Sequence, residues 1–153
     1  MKGSNRFLIG FGAGIGALLL VTIILVITIG GRPAPVLPAS TPEGVVQRFL
    51  SAVEARDYAA AYSYLGPDQS GVTPAYQDWL RQFPTGASQV SWKATLGQTV
   101  VQGNTATVEV IIESFRPNGP FGNPVQTFNT NYFLRRVGDT WQLIPPADIY
   151  WLY

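Results

Sequence analysis

The chain has 153 residues, of which 46% are hydrophobic and only 12% are charged, and its formal net charge is +1. An average soluble protein has about 25% charged residues, so the composition favours a membrane segment attached to at most one ordinary domain. Cysteine and histidine are both absent, which excludes disulfides, thiolate and imidazole catalysis, and the usual ligands of zinc and haem. We therefore expect no metal and no cofactor.

An uncharged run, FLIGFGAGIGALLLVTIILVITIG at 7–30, follows a short stub at 1–6. As a helix rising about 1.5 Å per residue the run would reach roughly 36 Å, which is enough for a hydrocarbon core of about 30 Å. It therefore predicts one transmembrane helix over 7–30. The alternative is a cleaved secretory signal, whose apolar region is shorter, about 7 to 15 residues.

Basic residues flank this run unequally, because Lys2 and Arg6 precede it and Arg32 alone follows closely. Positive charge tends to stay on the cytoplasmic side of a membrane. The pattern predicts a single-pass protein of the cell membrane, in contact with the lipid bilayer. Residues 1–6 would be cytoplasmic, and everything after Arg32 would be periplasmic or extracellular.

Small residues four positions apart occupy the first half of the run. Gly10 and Gly14, and likewise Gly12 and Gly16, would share one helix face, where missing side chains let a second helix approach closely. These glycines are predicted to pack against helices of other membrane-protein subunits. The alternative is that glycine is simply common in membrane helices.

A proline-rich linker over 31–40, GRPAPVLPAS, leads into the exported domain at 41–153. Its prolines remove backbone donors and favour an extended spacer. In the domain, acidic residues outnumber basic ones, so we expect no nucleic acid among its partners.

The first part of the domain predicts three short amphipathic helices. Thr41 and Pro42 begin the first, Asp57 caps the second, and Thr73 and Pro74 begin the third. Each helix has apolar residues at the i, i+3, i+4, i+7 spacing of one face. These faces are Val46, Phe49, Leu50 and Val53, then Tyr58, Ala61, Tyr62 and Leu65, then Tyr76, Trp79, Leu80 and Phe83.

From Ser88 onward the apolar period falls to two, which is typical of strands. Four strands are predicted: one from Ser88, one after the turn at Gly103, one over Thr127–Val137, and one from about Thr140. In the second strand, Ala106, Val108, Val110 and Ile112 share one face, and Glu109 and Glu113 share the other. We therefore expect an α+β domain with three short helices packed on a curved four-stranded antiparallel sheet.

The stretch TPEGVVQRFLSAVEARDYAAAYSYL, followed by a third helix and by four strands ending in W-x-L, resembles the nuclear transport factor 2-like superfamily. The likeness is greatest to its small exported bacterial members and covers about residues 41–144. It implies a cone, in which a curved sheet wraps around helices. Members use the cone as an active site, a ligand site or a dimer surface, or fill it with core residues.

Enzymes that resemble ketosteroid isomerases or polyketide cyclases use an Asp or His base in the cone, supported by a Tyr or a protonated acid. In this chain Glu109 and Glu113 fall on the strand face away from the helices, and Asp57 is a helix cap. We therefore expect no catalytic residue.

Aromatic residues of the cone could line a pocket for a small-molecule ligand, or they could simply fill the core. The candidates for pocket lining are Tyr58, Tyr62, Trp79 and Trp92.

Two other aromatic segments are candidates for docking a partner protein. Phe121 lies in the long connection at 114–126, and Tyr150, Trp151 and Tyr153 end the chain. Large aromatic residues anchor many interfaces. The alternative for Phe121 is solvent exposure. The alternatives for the C-terminal residues are packing on the parent domain and a position at the bilayer headgroups, where Trp and Tyr are favoured.

The preferred functional hypothesis is a membrane-anchored noncatalytic interaction or scaffold module on the outer face of the membrane. It would be an accessory subunit of a larger membrane complex, for example an energy-converting one. The alternative is a cone domain that binds a small ligand or acts as a minor enzyme.

Overall fold

The computed structural model describes residues 14–24, 35–83, 91–115, 124–147 and 149. The chain divides into two compact units, Met1–Pro35 and Val36–Tyr153. In the first unit, residues 14–24 form a helix, α1.

The predicted transmembrane helix over 7–30 is wrong. In the described residues no helix is long and apolar enough to cross a membrane. The single-pass topology and the placement of the domain outside the cell were predicted from that span.

The glycines singled out for helix packing are only partly described. Gly14 and Gly16 are exposed on α1, and no atom lies within 4 Å of the position that a Cβ would take. Gly10 and Gly12 lie outside the described residues. The structure therefore does not test their packing against another subunit.

Three short helices begin the second unit, as the sequence predicts. Helix α2 spans Pro42–Glu54 and α3 spans Tyr58–Tyr62. Their predicted caps are confirmed, because the Gly44 N–H donates to Thr41 Oγ1 at 3.1 Å and the Ala60 N–H donates to Asp57 Oδ1 at 3.0 Å. These side chains satisfy backbone donors that a helix leaves free at its start.

The third helix, α4, spans Tyr76–Leu80 and begins later than predicted. Its N-cap is Ala75, which makes no side-chain capping bond, instead of Thr73. Residues 72–75 are irregular. The Tyr62 hydroxyl donates a hydrogen bond to the Pro74 carbonyl oxygen in this segment, at 2.7 Å. A tertiary contact therefore sets where this helix starts.

The described end of the predicted linker lies against α2 and is not a free spacer. The Leu37 N–H donates to Gln47 Oε1 at 2.8 Å, and Arg48 Nη1 donates to the Leu37 carbonyl oxygen at 2.7 Å. A Cβ built on Gly44 would overlap the Pro38 carbonyl oxygen. Glycine at position 44 therefore permits the close approach of the two segments.

The sheet has four antiparallel strands in the order β1-β2-β3-β4. Glycines with positive φ begin two of the turns, Gly103 at 59° between β1 and β2 and Gly138 at 61° between β3 and β4, a region that favours glycine. The strands span Ser91–Gln102 (β1), Thr105–Phe115 (β2), Val125–Val137 (β3) and Thr140–Leu143 (β4).

The core lies between the three helices and one face of the sheet. Val108, Val110 and Ile112 of β2 are completely buried, as the period of two predicts. Across from them, the Phe49 ring of α2 meets the Tyr132 ring of β3 edge to face, with centroids 5.9 Å apart. The predicted α+β arrangement of three short helices on a four-stranded antiparallel sheet is therefore confirmed for this unit.

The chain returns to this core after β4. Ala147 and Ile149 are both buried and belong to the core cluster. The C-terminal segment thus packs on its own domain at least as far as Ile149. Tyr150, Trp151 and Tyr153, predicted to dock a partner, lie outside the described residues.

Replacing Gly44 with alanine tests the contact between the linker and α2. Alanine normally stabilises a helix relative to glycine, by up to about 1 kcal/mol. Here we expect the opposite sign, a loss of about 1–3 kcal/mol in the free energy of unfolding, because the new Cβ meets backbone. Urea denaturation of the full chain measures the change.

The matched control is Ser51→Ala at an exposed position of the same helix, which should shift stability by less than about 0.5 kcal/mol. A Gly44→Ala chain as stable as the wild type would show that residues 37–38 do not rest on α2.

Candidate functional site

Aromatic rings gather between α3, α4 and the chain that follows α4. Tyr62 contacts both Tyr76 and Trp79, at centroid distances of 5.1 and 5.6 Å. The Phe83 ring contacts both Trp79 and Tyr58, at centroid distances of 4.7 and 4.3 Å. We call these five residues the helix-side aromatic cluster. It brings together three of the four predicted pocket-lining residues, whereas Trp92 lies on β1.

Trp79 is the centre of this cluster and carries an unsatisfied donor. Its side chain is only 1% exposed, and its Nε1–H has no acceptor among the residues that the structure describes. A buried donor without a partner costs about 1–3 kcal/mol. The ring belongs to the core cluster, and its N–H could bond an acceptor on a small ligand.

The two strand glutamates lie on the sheet face away from the helices, as predicted. Glu113 is exposed and Glu109 is half-buried. Glu109 lies beside Gly97, whose missing side chain leaves room for the Glu109 Cβ and Cγ. Both carboxylates therefore lie outside the helix-covered interior.

Three aspartates have structural roles. Asp57 caps α3, and Asp78 forms an exposed ion pair with Arg81 at 3.3 Å. Asp68 Oδ1 accepts hydrogen bonds from the Ser70 hydroxyl, the Ser70 N–H and the Val72 N–H. The Ser70 hydroxyl and the Val72 N–H, acting on an exposed carboxylate, lower the pKa of Asp68 below its ordinary value.

The face of the sheet opposite the helices, the outer face, exposes large apolar side chains. Phe115 pairs directly with Val125 at one end of β2. Val100 and Phe133 flank Thr107 near the other end. All four are exposed, Phe133 by as much as 54%. Isolated exposed apolar residues are ordinary, but neighbouring ones mark contact surfaces.

A shallow groove of about 240 Å³ lies at the Phe115 end of the sheet. Lys93 and Glu113, which are directly opposite each other on β1 and β2, contribute a charge of each sign. Phe115 and Val125 contribute apolar surface. The groove is lined by Ser91, Trp92, Lys93, Glu113, Ser114, Phe115 and Val125.

Sequence reasoning missed the outer-face phenylalanines. Phe133 follows the buried Tyr132 and precedes the buried Leu134, so the period of two already placed it on the opposite face. The predicted docking residue Phe121 lies outside the described residues. Among the described residues, no group of three or more acidic side chains could hold a metal ion.

No protein-family model matches the chain, and no curated protein matches it. Solved structures do match. A SEC-C motif containing protein from Rhodopseudomonas palustris has 16% identity and a TM-score of 0.48, covering 71% of this chain and 78% of that protein. A protein described as a calcium/calmodulin-dependent protein kinase type II association domain, from Thiobacillus denitrificans, has 15% identity and a TM-score of 0.47, covering 72% and 94%.

A third structure, an NTF2-like transpeptidase from Campylobacter jejuni, has 14% identity and a TM-score of 0.41 and covers 68% of this chain and 97% of that one. The solved neighbours therefore include a nuclear transport factor 2-like protein. The likeness is weak and concerns the fold alone. It gives no information about function.

Proposed function

We propose that the unit Val36–Tyr153 is a noncatalytic protein-interaction domain and that the outer face of its sheet is the contact surface. The observation that supports this most is the pair of apolar groups at the two ends of the outer face, Phe115 with Val125 and Val100 with Phe133. Aromatic side chains are enriched in interface cores.

The groove beside Phe115 fits the same role. Interfaces are commonly anchored by one large side chain that enters a pocket on the partner. Here Phe115 and Val125 would contact an apolar anchor, and Lys93 and Glu113 at the same groove would form its polar rim. We infer that this end of the face takes the anchoring side chain of the partner.

The size of the face sets the class of interaction. The strands lie about 4.8 Å apart and rise about 3.4 Å per residue, so the outer face of β1, β2 and β3 measures roughly 500 Å² in projection. A stable standard interface buries about 800 Å² on each partner. A partner that covers only this face would therefore bind transiently, or would use further surface within a larger assembly.

The positions of the carboxylates support a noncatalytic role. An acid–base catalytic site is more efficient when burial shifts the pKa of its carboxylate toward the working pH. Glu109 and Glu113 lie on the uncovered face, and the buried helix-side residues of β2 include no carboxylate. We propose that the domain acts as a subunit of a larger assembly.

A photo-crosslinking amino acid at position 133 tests the proposal in the native cell. Phe133 is exposed on the outer face, and Ser51, exposed on α2, is the matched control. We expect one discrete protein adduct from position 133, with a yield several-fold above that from position 51. Loss of this adduct in a Phe115→Ser background would place both residues in one interface. Equal labelling from both positions, or none from position 133, would contradict the proposal.

A small-ligand function is the second candidate, and the buried Trp79 Nε1–H, which finds no acceptor within the described part of the chain, favours it. A bound molecule with a hydrogen-bond acceptor would satisfy this donor. Native mass spectrometry of the protein from its own cells would then show a retained small molecule that is lost in Trp79→Phe. Identical spectra for the two proteins would exclude a ligand at Trp79.

A further inference from the structure

The two edges of the sheet differ in how they are covered. Beside β4, the segment 64–66 acts as a short extra strand: the Gly66 N–H donates to the Leu143 carbonyl oxygen at 2.8 Å, and the Leu143 N–H donates to the Tyr64 carbonyl oxygen at 2.9 Å. Along the described part of the chain, β1 is paired on one side only, by β2. An edge strand presents a row of N–H and C=O groups that can pair with another chain.

The helices also leave the end of β1 thinly covered. Val101 pairs with Ala106, which is buried, yet Val101 itself is 53% exposed. Its neighbour Val100 points to the outer face and is 44% exposed. A strand added at this edge would lie beside both valines. Its side chains would cover Val100 on the outer face and Val101 on the helix side.

A bulge changes the alternation of side chains within β1. The register shifts between Leu96 and Thr99, so two residues of β1, Gly97 and Gln98, stand opposite the single residue Glu109. Such a bulge moves the following residues by one position relative to the pleat. The helix-side positions of β1 are therefore even-numbered before the bulge and odd-numbered after it, and they are Trp92, Ala94, Leu96, Thr99 and Val101.

This shift decides the register in which the strand can pair with a second copy of itself. Two antiparallel copies of β1 can lie side by side over their full length. Lys93 of one copy then stands opposite Val100 of the other, and Ala94 stands opposite Thr99. Paired residues in a sheet must point to the same face. Without the bulge, each of these pairs would join opposite faces. With the bulge, Lys93 and Val100 both lie on the outer face, and Ala94 and Thr99 both lie on the helix side.

Charge also permits this pairing. Lys93 is the only charged residue of β1, and its long aliphatic stem would lie against Val100 of the second copy. The two Lys93 side chains would be about seven residues apart along the ladder, or roughly 24 Å, which exceeds the screening length of about 8 Å at physiological salt. No like charges would therefore meet.

We propose that edge strand β1 pairs antiparallel with β1 of a second copy, joining two four-stranded sheets into one continuous sheet. The two-fold axis that relates the two copies passes through the bulge. A ladder of backbone hydrogen bonds runs on either side of this axis. Because the contact comprises two strands and little else, the dimer forms in a concentration-dependent way. The pairing covers Lys93 and Val100 on β1, whereas Phe115 of β2 and Phe133 of β3 lie on strands that it does not involve.

The absence of cysteine in the chain allows a test of the register. Lys93→Cys and Val100→Cys are prepared separately as full-length chains, mixed in equal amounts and oxidised mildly. Residues directly opposite across antiparallel strands have Cβ atoms about 4.5–5.5 Å apart, close to the distance that a disulfide needs. We expect a disulfide dimer from the mixture and little from either variant alone, because each cysteine is then roughly 24 Å from its symmetry mate.

Glu113→Cys mixed with Val100→Cys is the control, since position 113 lies on β2, away from the edge. Disulfide formation in this control, or by either variant alone, would show that the copies meet by their faces or in another register, and would overturn the proposal. A wild-type chain that remains monomeric in sedimentation at every concentration would also overturn it. Both substituted edge positions are exposed, and thermal unfolding verifies that the variants are folded.

Discussion

The alternation along β2 is the constraint on which the rest of the domain depends. This strand is paired on both sides, by β1 and by β3, and Val108, Val110 and Ile112 are completely buried beneath the helices. Burying each such side chain contributes about 1.5–3 kcal/mol. The intervening residues must then face outward, so the same pattern that builds the core also creates the uncovered face with Glu113.

Local chemistry made much of this fold predictable. Thr41 and Asp57 cap helices as short polar residues do, and the change of apolar period near Ser88 marks the passage from helices to strands. The start of α4 was missed because Tyr62 holds the preceding segment from another element. The membrane helix was wrong because a hydropathy run reports only how apolar a segment is, and among the described residues no helix is long and apolar enough to cross a membrane.

The candidate surfaces were less accessible to prediction, because they depend on which elements lie side by side. The period of two places Phe133 opposite Tyr132, but only the strand order shows that no helix covers that face in the described part of the chain. The position of β1 at the edge of the described sheet and the bridge from Leu65 to β4 are likewise properties of the assembled sheet. Three of the four aromatic residues chosen from the sequence do gather, around a Trp79 ring that occupies the interior itself.

Oxidative footprinting of the wild-type chain tests most directly that one face of the sheet is covered and the other is free. Tyr132 and Phe133 are adjacent on β3, yet their exposed fractions are 1% and 54%. The protection of a ring is the rate of its hydroxyl-radical modification in the unfolded chain divided by the rate in the folded chain. We expect this protection to be at least about tenfold larger for Tyr132 than for Phe133. Similar protection of the two rings in the dilute protein would contradict an uncovered outer face.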